Sequence, residues 1–132
     1  MKIITSIKEA QAIGSKIKAS HKIIGFVPTM GYLHRGHLNL MKLARKKCDV
    51  LVVSIFVNPI QFGPTEDYKK YPRDLQHDSA MAQEAKVDYL FCPRAKNMYG
   101  PGYSTVVNVN GLDQIMCGKQ RPGHFSGVCT VV

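Results

Sequence analysis

Residues 23–37 read IIGFVPTMGYLHRGH, and this stretch decides the fold. Its first six residues form a short apolar run, which is typical of a buried strand. A glycine-containing turn then breaks the run, and His34 and His37 open a predicted helix. The N-terminus of such a helix attracts phosphate, because its free N–H groups and its macrodipole are positive. Gly36 has no side chain, so a phosphate or an adenine ring can approach the backbone there.

The rest of the chain alternates strands with helices. Residues 50–57 (VLVVSIFV) are β-branched and apolar on both faces, as in the middle of a parallel sheet. We predict an α/β fold of the Rossmann-like type, with helices on a parallel sheet. A short apolar stretch, residues 2–4, opens the chain, and the predicted strands are residues 23–28, 50–57, 89–92 and 104–109. One predicted helix begins at a Ser6/Glu9 capping box. A second runs from about residue 37 to 47, with Leu38, Leu40, Met41 and Leu43 on its apolar side, and a third from about residue 74 to 85.

Composition limits the class of protein. The chain has 132 residues, about one domain, with 45% hydrophobic and 20% charged residues, which excludes a disordered protein. No apolar run has the roughly 18–20 residues that span a bilayer, and the N-terminus lacks the pattern of a signal peptide. The four cysteines form no CxxC pair, so we expect free thiols in a reducing cytoplasm.

The net charge of +9 suits a polyanion, and nucleic acid is the first candidate. The sequence contains no recognised nucleic-acid motif and no basic stretch interleaved with aromatic residues. Small anionic substrates explain a basic pocket equally well. The charge alone therefore selects no partner.

Four stretches together resemble a known family. HxGH after a first strand resembles the phosphate-binding signature of the nucleotidylyltransferase superfamily. The longer string PTMGYLHRGH (residues 28–37) is more specific and resembles the pantothenate synthetases. SIFVNPIQF (54–62), YPRDLQHD (71–78) and RPGHFSGV (121–128) agree with it, so the resemblance covers essentially all 132 residues.

The resemblance implies an activity. Members of the family bind ATP, with Mg²⁺, beside pantoate, whose carboxylate attacks the α-phosphorus. Pyrophosphate leaves, and the amine of β-alanine then attacks the pantoyl adenylate to give pantothenate and AMP. The resemblance also implies a cytoplasmic homodimer with small-molecule substrates, and neither nucleic acid nor membrane as a partner.

The resemblance also implies site residues. His37 matches the residue described as a proton donor, and we expect His34 to share the catalytic role. The alternative is that one or both histidines merely cap the helix or bind a structural water. Gln61 matches a contact for pantoate and β-alanine, and no residue is assigned to a metal. The expected ATP-binding residues are Met30, Gly31, Tyr32, Leu33, His34, Arg35, Gly36 and His37. The expected pantoate and β-alanine residues are Gln61, Pro28, Thr29, Met30, Asn58 and Tyr71.

The length departs from the family pattern. The family continues with a phosphate-binding lysine, a second glutamine, an SSR-type loop and a C-terminal lid, and this chain stops at GVCTVV. We therefore expect residues 1–132 to be an incomplete N-terminal domain for nucleotide and pantoate, and the lid to be absent. Such a piece is expected to fold as an α/β unit, to make no measurable pantothenate, and to self-associate through Val131 and Val132.

Several roles stay open from the sequence. Asp78 suits a magnesium ion or a ribose hydroxyl, or simply faces solvent. His124 suits a nucleotide contact or a structural role, and Arg73 suits a folded loop end or a surface ion pair. Asn58 suits either substrate binding or the cap of a turn. If Asn58 and Gln61 follow a strand that neighbours residues 23–28, their amides project beside the histidine loop.

Two rival functions also remain. One is another HxGH nucleotidyltransferase, and the other is a basic, non-catalytic binding module. The first would lack the amide pair of the FVNPIQF segment. The second, if it bound nucleic acid, would lose affinity steeply with salt.

Overall fold

The computed structural model describes residues 1–64, 66 and 68–132, apart from the side chain of Leu112. The chain divides into two compact units. The first comprises Met1–Phe56 and Pro72–Met98, and the second comprises Val57–Tyr71 and Tyr99–Val132. The first unit holds the sheet, and the second is built from short helices and turns.

A parallel sheet forms the centre of the first unit. Its strands are β1 (Lys2–Ile4), β2 (Ile24–Thr29), β3 (Val50–Ile55) and β4 (Tyr89–Phe91), in the order β1-β4-β3-β2. The predicted α/β class is thereby confirmed. Strands β2 and β3 are neighbours along their whole length, with Thr29 opposite Ile55. The segments that follow these two strands therefore leave the same edge of the sheet.

Four helices accompany this sheet in the first unit: α1 (Ile7–Ala19), α2 (Arg35–Arg45), α3 (Leu75–Glu84) and α4 (Ala95–Met98). Ser6 caps α1 by accepting the N–H of Glu9 at 3.4 Å, as the capping pattern predicts. The carboxylate of Glu9 pairs with Lys2 at 2.6 Å. Asp74 caps α3 by accepting the N–H of His77 at 2.9 Å.

The predicted apolar side of α2 is half wrong. Leu38 and Met41 are buried in the core, whereas Leu40 and Leu43 are 51% and 57% exposed. The reason is helical geometry, because residues two positions apart, such as Leu38 and Leu40, are separated by about 200° around the helix. Only one stripe of α2 can face the sheet, and Leu38 and Met41 occupy it. The buried core consists of Val27, Leu33, Leu38, Met41, Leu51, Val53, Ala82, Ala85, Val87 and Leu90.

The second unit contains α5 (Cys117–Gln120), α6 (His124–Val131) and the 3₁₀ turns Pro59–Gln61, Tyr68–Lys70 and Leu112–Gln114. Gly123 precedes α6 in the left-handed region, with φ 84°. The apolar run that ends the chain forms most of α6. Across the described residues, no helix combines the length and the apolar character that crossing a membrane requires.

The strand predicted at residues 104–109 is wrong. This segment is irregular, and all its side chains are exposed. The N–H of Val107 donates to the hydroxyl of Thr130 at 2.9 Å. Valine and threonine favour strands because they pack well on a half-buried pleated surface. Residues 104–109 have no such surface, so their composition does not produce a strand.

Candidate functional site

The turn between β2 and α2 has an unusual backbone. Gly31 and Tyr32 both adopt left-handed conformations, with φ of 86° and 52°. The hydroxyl of Thr29 accepts the N–H of Gly31 at 3.2 Å. A side chain at Gly31 would place its Cβ 2.9 Å from Oδ2 of Asp78, so the position requires glycine. The hydrogen bond to Thr29 and the close approach of Asp78 therefore fix the conformation of the turn, which leads directly to His34.

The two histidines cap α2 reciprocally. His34 is the N-cap, and its Nδ1 accepts the N–H of Gly36 at 3.1 Å. Nδ1 of His37 accepts the N–H of His34 at 3.3 Å, and the two ring centroids lie 4.1 Å apart. A nitrogen that accepts a hydrogen bond carries no proton, so both neutral rings hold their proton on Nε2. The site thus contains two adjacent Nε2–H donors at a helix N-terminus.

The protonation of His37 follows from its surroundings. Burial lowers its pKa below the ordinary value of 6.5, the neighbouring His34 lowers it further, and the charge of Asp78 opposes both effects. Protonation of Nδ1 would also break the hydrogen bond to the N–H of His34. The neutral form is therefore favoured near pH 7, and it can donate a hydrogen bond to an anion without first gaining a proton.

Asp78 lies under the turn and does not face solvent. It is 1% exposed, and its carboxylate accepts the N–H groups of Tyr32 at 2.9 Å and Leu33 at 2.7 Å. Nδ1 of His77 lies 3.4 Å from Oδ1. In the parts of the chain that the structure describes, no group of three His, Cys, Asp or Glu side chains is arranged to hold a metal ion.

Asn58 occupies the centre of a polar cluster in the second unit. It is 1% exposed, and its Nδ2 donates to Oε1 of Gln61 at 3.1 Å and to the carbonyl of Gly127 at 2.9 Å. Its Oδ1 accepts from the hydroxyl of Tyr99 at 2.7 Å and from the N–H of Ile60 at 3.4 Å. An amide offers two donors and two main acceptor positions, so these four bonds fill its capacity.

Gln61 is held by its main chain as well as by its side chain. Its carbonyl accepts from Nδ1 of His124 at 2.9 Å and from Nη2 of Arg121 at 3.4 Å. Arg121 forms a two-point ion pair with Glu66, whose carboxylate also accepts the N–H of Gly63 at 2.7 Å. Hydrogen bonding to Arg121 is the main cause that lowers the pKa of Glu66. Gln61 is thus a buried member of a partly buried hydrogen-bond network.

Aromatic contacts surround the same segment. Phe62 meets Tyr71 edge-on at 5.8 Å and Tyr68 at 5.5 Å between ring centroids. Such edge-to-face pairs contribute about 0.5–1.5 kcal/mol each beyond the area they bury. Arg73 is exposed, in the first unit.

A protein-family model described as Pantoate-beta-alanine ligase matches residues 2–132. The chain belongs to the pantoate-beta-alanine ligase family. The pantothenate synthetase of Carboxydothermus hydrogenoformans is 57% identical over 133 residues, and that of Caldicellulosiruptor bescii is 53% identical over 132 residues. Each alignment covers 100% of this chain and 47% of the relative, so the chain spans about half the length of these curated relatives.

Solved structures agree. The crystal structure of pantothenate synthetase from Thermus thermophilus superimposes with a TM-score of 0.86 at 48% identity, covering 99% of this chain and 46% of that one. A pantoate-beta-alanine ligase from Francisella tularensis, complexed with beta-gamma ATP and beta-alanine, gives a TM-score of 0.91 at 44% identity. That match covers 99% of this chain and 50% of the other. The Rossmann-like expectation for this family member is confirmed.

The structure assigns its sequence-predicted residues to two places. Pro28 to His37 lie in the first unit, and Asn58, Gln61 and Tyr71 lie in the second. Sequence reasoning missed Tyr99 and Glu66, because neither belongs to a stretch that carries the resemblance to the ligase family. Arg121 does belong to such a stretch, and its position in the RPGHFSGV segment was the available signal.

Proposed function

We propose that this protein catalyses the ATP-dependent condensation of pantoate with β-alanine through a pantoyl adenylate. The observation that carries the proposal is the reciprocal histidine cap at the start of α2, which places two imidazole rings, each with its proton assigned to Nε2, at a helix N-terminus. Membership of the pantoate-beta-alanine ligase family supports the choice of substrates. The Francisella tularensis relative, complexed with beta-gamma ATP and beta-alanine, supports the same substrate classes.

His37 and His34 are assigned to charge stabilisation. When the carboxylate of pantoate attacks the α-phosphorus, negative charge grows on the phosphoryl oxygens and the leaving pyrophosphate. Preorganised donors aimed at such charge are among the strongest catalytic devices. We assign ATP binding to Met30, Gly31, Tyr32, Leu33, His34, Arg35, Gly36 and His37. Mg²⁺ enters with ATP, bound to its phosphates, and is therefore part of the substrate.

Pantoate and β-alanine recognition is assigned chiefly to Gln61. A primary amide both donates and accepts, which suits a ligand with hydroxyl and carboxylate groups. Asn58 has its capacity filled by protein partners, so we assign it an indirect role through Gln61. The remaining members of this proposed subsite are Pro28, Thr29, Met30 and Tyr71.

The second half of the reaction needs no further covalent chemistry from the protein. The neutral amine of β-alanine attacks the acyl carbon of pantoyl adenylate, AMP leaves, the nitrogen releases a proton to solvent, and pantothenate forms. Holding two reactants in the right geometry supplies much of the rate. We propose that residues 1–132 form the nucleotide- and pantoate-binding part of a longer enzyme, whose remaining half, including a lid, completes the site.

We further propose that the enzyme is a cytoplasmic homodimer that binds neither nucleic acid nor membrane. The four free cysteines fit a reducing compartment. A salt titration tests the partner assignment, because nucleic-acid binding through phosphates weakens steeply with salt, whereas a pocket based on shape and amide hydrogen bonds is affected much less.

The main test is replacement of the histidines in a full-length form, meaning this sequence continued to the length of its relatives. His34→Ala and His37→Ala should each slow pyrophosphate release from ATP and pantoate by roughly 10²-fold or more. Binding of pantoate alone should change little. His21→Asn serves as a control, because His21 is exposed at a left-handed position that asparagine tolerates. If a variant with both His34→Ala and His37→Ala released pyrophosphate at a near-normal rate, the catalytic assignment would be overturned.

A further inference from the structure

The turn that precedes the histidines has the form of an anion site. Gly31 and Tyr32 are successive left-handed residues, and the N–H groups of Tyr32 and Leu33 both point to the same carboxylate, that of Asp78. Such a concave group of N–H donors binds anions. Tyr32 adopts this conformation although it has a side chain, and a non-glycine residue is strained there. Something must therefore hold the turn in place.

Asp78 supplies the anion. Oδ2 accepts the N–H of Tyr32 at 2.9 Å, and Oδ1 accepts the N–H of Leu33 at 2.7 Å. These distances are those of strong, charge-assisted hydrogen bonds. Asp78 lies within α3, where its own N–H donates to the carbonyl of Asp74 at 3.0 Å. The turn is thus tied to a regular helix 45 to 46 residues further along the chain.

The surroundings of Asp78 are those of a buried structural anion. The side chain is 1% exposed, and a Cβ at Gly31 would come within 2.9 Å of Oδ2. The negative charge of Asp78 affects the pKa of two neighbouring groups, His37 and Cys92. It raises the pKa of His37 against the effect of burial, and it adds to the burial that raises the pKa of Cys92 to about 11.

We propose that Asp78 is a positioning residue, whose buried carboxylate fills the N–H concavity of the 31–33 turn and so fixes where His34 begins α2. The catalytic part of this proposal rests on the proposed function. The ATP contacts assigned above to Tyr32 and Leu33 therefore involve other atoms of these residues. Because an anion already occupies their N–H groups, substrate phosphates do not bind there. They are directed to the N-terminus of α2 and to the two histidines.

The first test uses the 132-residue chain unchanged. The amide protons of Tyr32 and Leu33 should exchange with solvent roughly 10²-fold or more slowly than unprotected amides, since both are hydrogen-bonded to a buried group. Addition of Mg²⁺ without ATP should leave their NMR signals in place. The proposal would be overturned if both amides exchanged at unprotected rates. It would also be overturned if Mg²⁺ drew Asp78 away from these amides and so shifted their NMR signals. This measurement needs no variant, so it decides even if an altered protein fails to fold.

The second test compares Asp78→Asn with Asp74→Asn in the full-length form. The first change replaces one acceptor oxygen by an NH₂ group facing an N–H, so protection of Tyr32 and Leu33 should fall at least about tenfold. The kcat for adenylate formation should also fall at least about tenfold, with little change in the KM for pantoate. Asp74→Asn removes a charge from the same helix but retains a capping side chain, so both quantities should stay near normal.

The outcomes separate this proposal from the proposed function. If Asp78→Asn folds and keeps both amide protection and kcat, the positioning role is wrong. If protection is lost while kcat per folded molecule is unchanged, Asp78 anchors the turn but the catalytic part is overturned. If the histidine variants fail to slow adenylate formation while the amides of Tyr32 and Leu33 remain protected by Asp78, the proposed function fails and the anchoring stands.

Discussion

Gly127 offers a sharp test of how the second unit holds Gln61. It lies in α6, and a Cβ built there would stand 2.6 Å from the carbonyl oxygen of Ile60, 2.6 Å from Cα of Gln61 and 2.7 Å from its N. All three atoms belong to the backbone, so no side chain can rotate away. Real Cβ atoms essentially never approach other atoms within 3.0 Å, so Gly127→Ala must move α6 and the Pro59–Gln61 turn apart by several tenths of an ångström.

The magnitude follows from two opposing effects. Alanine gains up to about 1 kcal/mol over glycine within a helix. Overpacking costs typically about 1–3 kcal/mol, and a displaced α6 also weakens the 2.9 Å bond from Asn58 to the carbonyl of Gly127. We expect Gly127→Ala to lower the free energy of unfolding by roughly 1–2 kcal/mol and to weaken pantoate binding through Gln61.

Gly14 is the matched control. It also lies within a helix, α1, and a Cβ there would meet nothing within 4 Å. Gly14→Ala should therefore raise the free energy of unfolding by about 0.5–1 kcal/mol. Urea unfolding followed by circular dichroism measures both variants, and exchange of the backbone amide at position 127, in the wild type and in the variant, reports on α6 directly. A Gly127→Ala protein as stable and as well protected as the wild type would refute the packing argument.

Three further predictions address single side chains. Gln61→Ala should cost about 1–3 kcal/mol in pantoate binding and less in ATP binding, and equal losses by calorimetry would show a general scaffold. The lowered pKa of His37 means that its neutral form favours the folded state. Its contribution to the free energy of unfolding is full above pH 6.5 and is lost as the pH falls through the lowered pKa. By NMR, the ring of His37 and the amide of His34 should titrate together, with a midpoint below pH 6.5. A midpoint at or above pH 6.5 would contradict the assignment. Cys92, with its pKa raised to about 11, should resist a thiol reagent at about pH 8 while exposed Cys117 reacts first, and equal rates would count against the burial argument.

Local patterns in the sequence were sufficient for much of the fold and for one part of the site. The apolar runs at β2 and β3 predict buried parallel strands, because such strands need apolar residues on both faces. The turn and the two histidines after β2 predict a phosphate site, because strand, turn and helix N-terminus are contiguous in the chain. The relation between His34 and His37 is also local, since a cap forms within one helical turn.

The tertiary structure alone decided which polar groups meet across long stretches of chain. Asp78 suits metal, ribose or solvent when read in isolation, and only the packing of α3 brings it under the turn at Tyr32 and Leu33. The partnership of Asn58 with Tyr99 likewise joins residues 41 positions apart.

Tertiary contacts also overrode local propensity. Residues 104–109 have the composition of a strand but no sheet surface to pack on, and they remain irregular. Leu40 is apolar, yet it lies on the side of α2 that faces away from the core. Periodicity and composition describe what each segment prefers, whereas burial and hydrogen-bond partners depend on where the other segments lie. For this reason the sequence determined the strand, the turn and the histidine cap, and the folded chain determined what holds them.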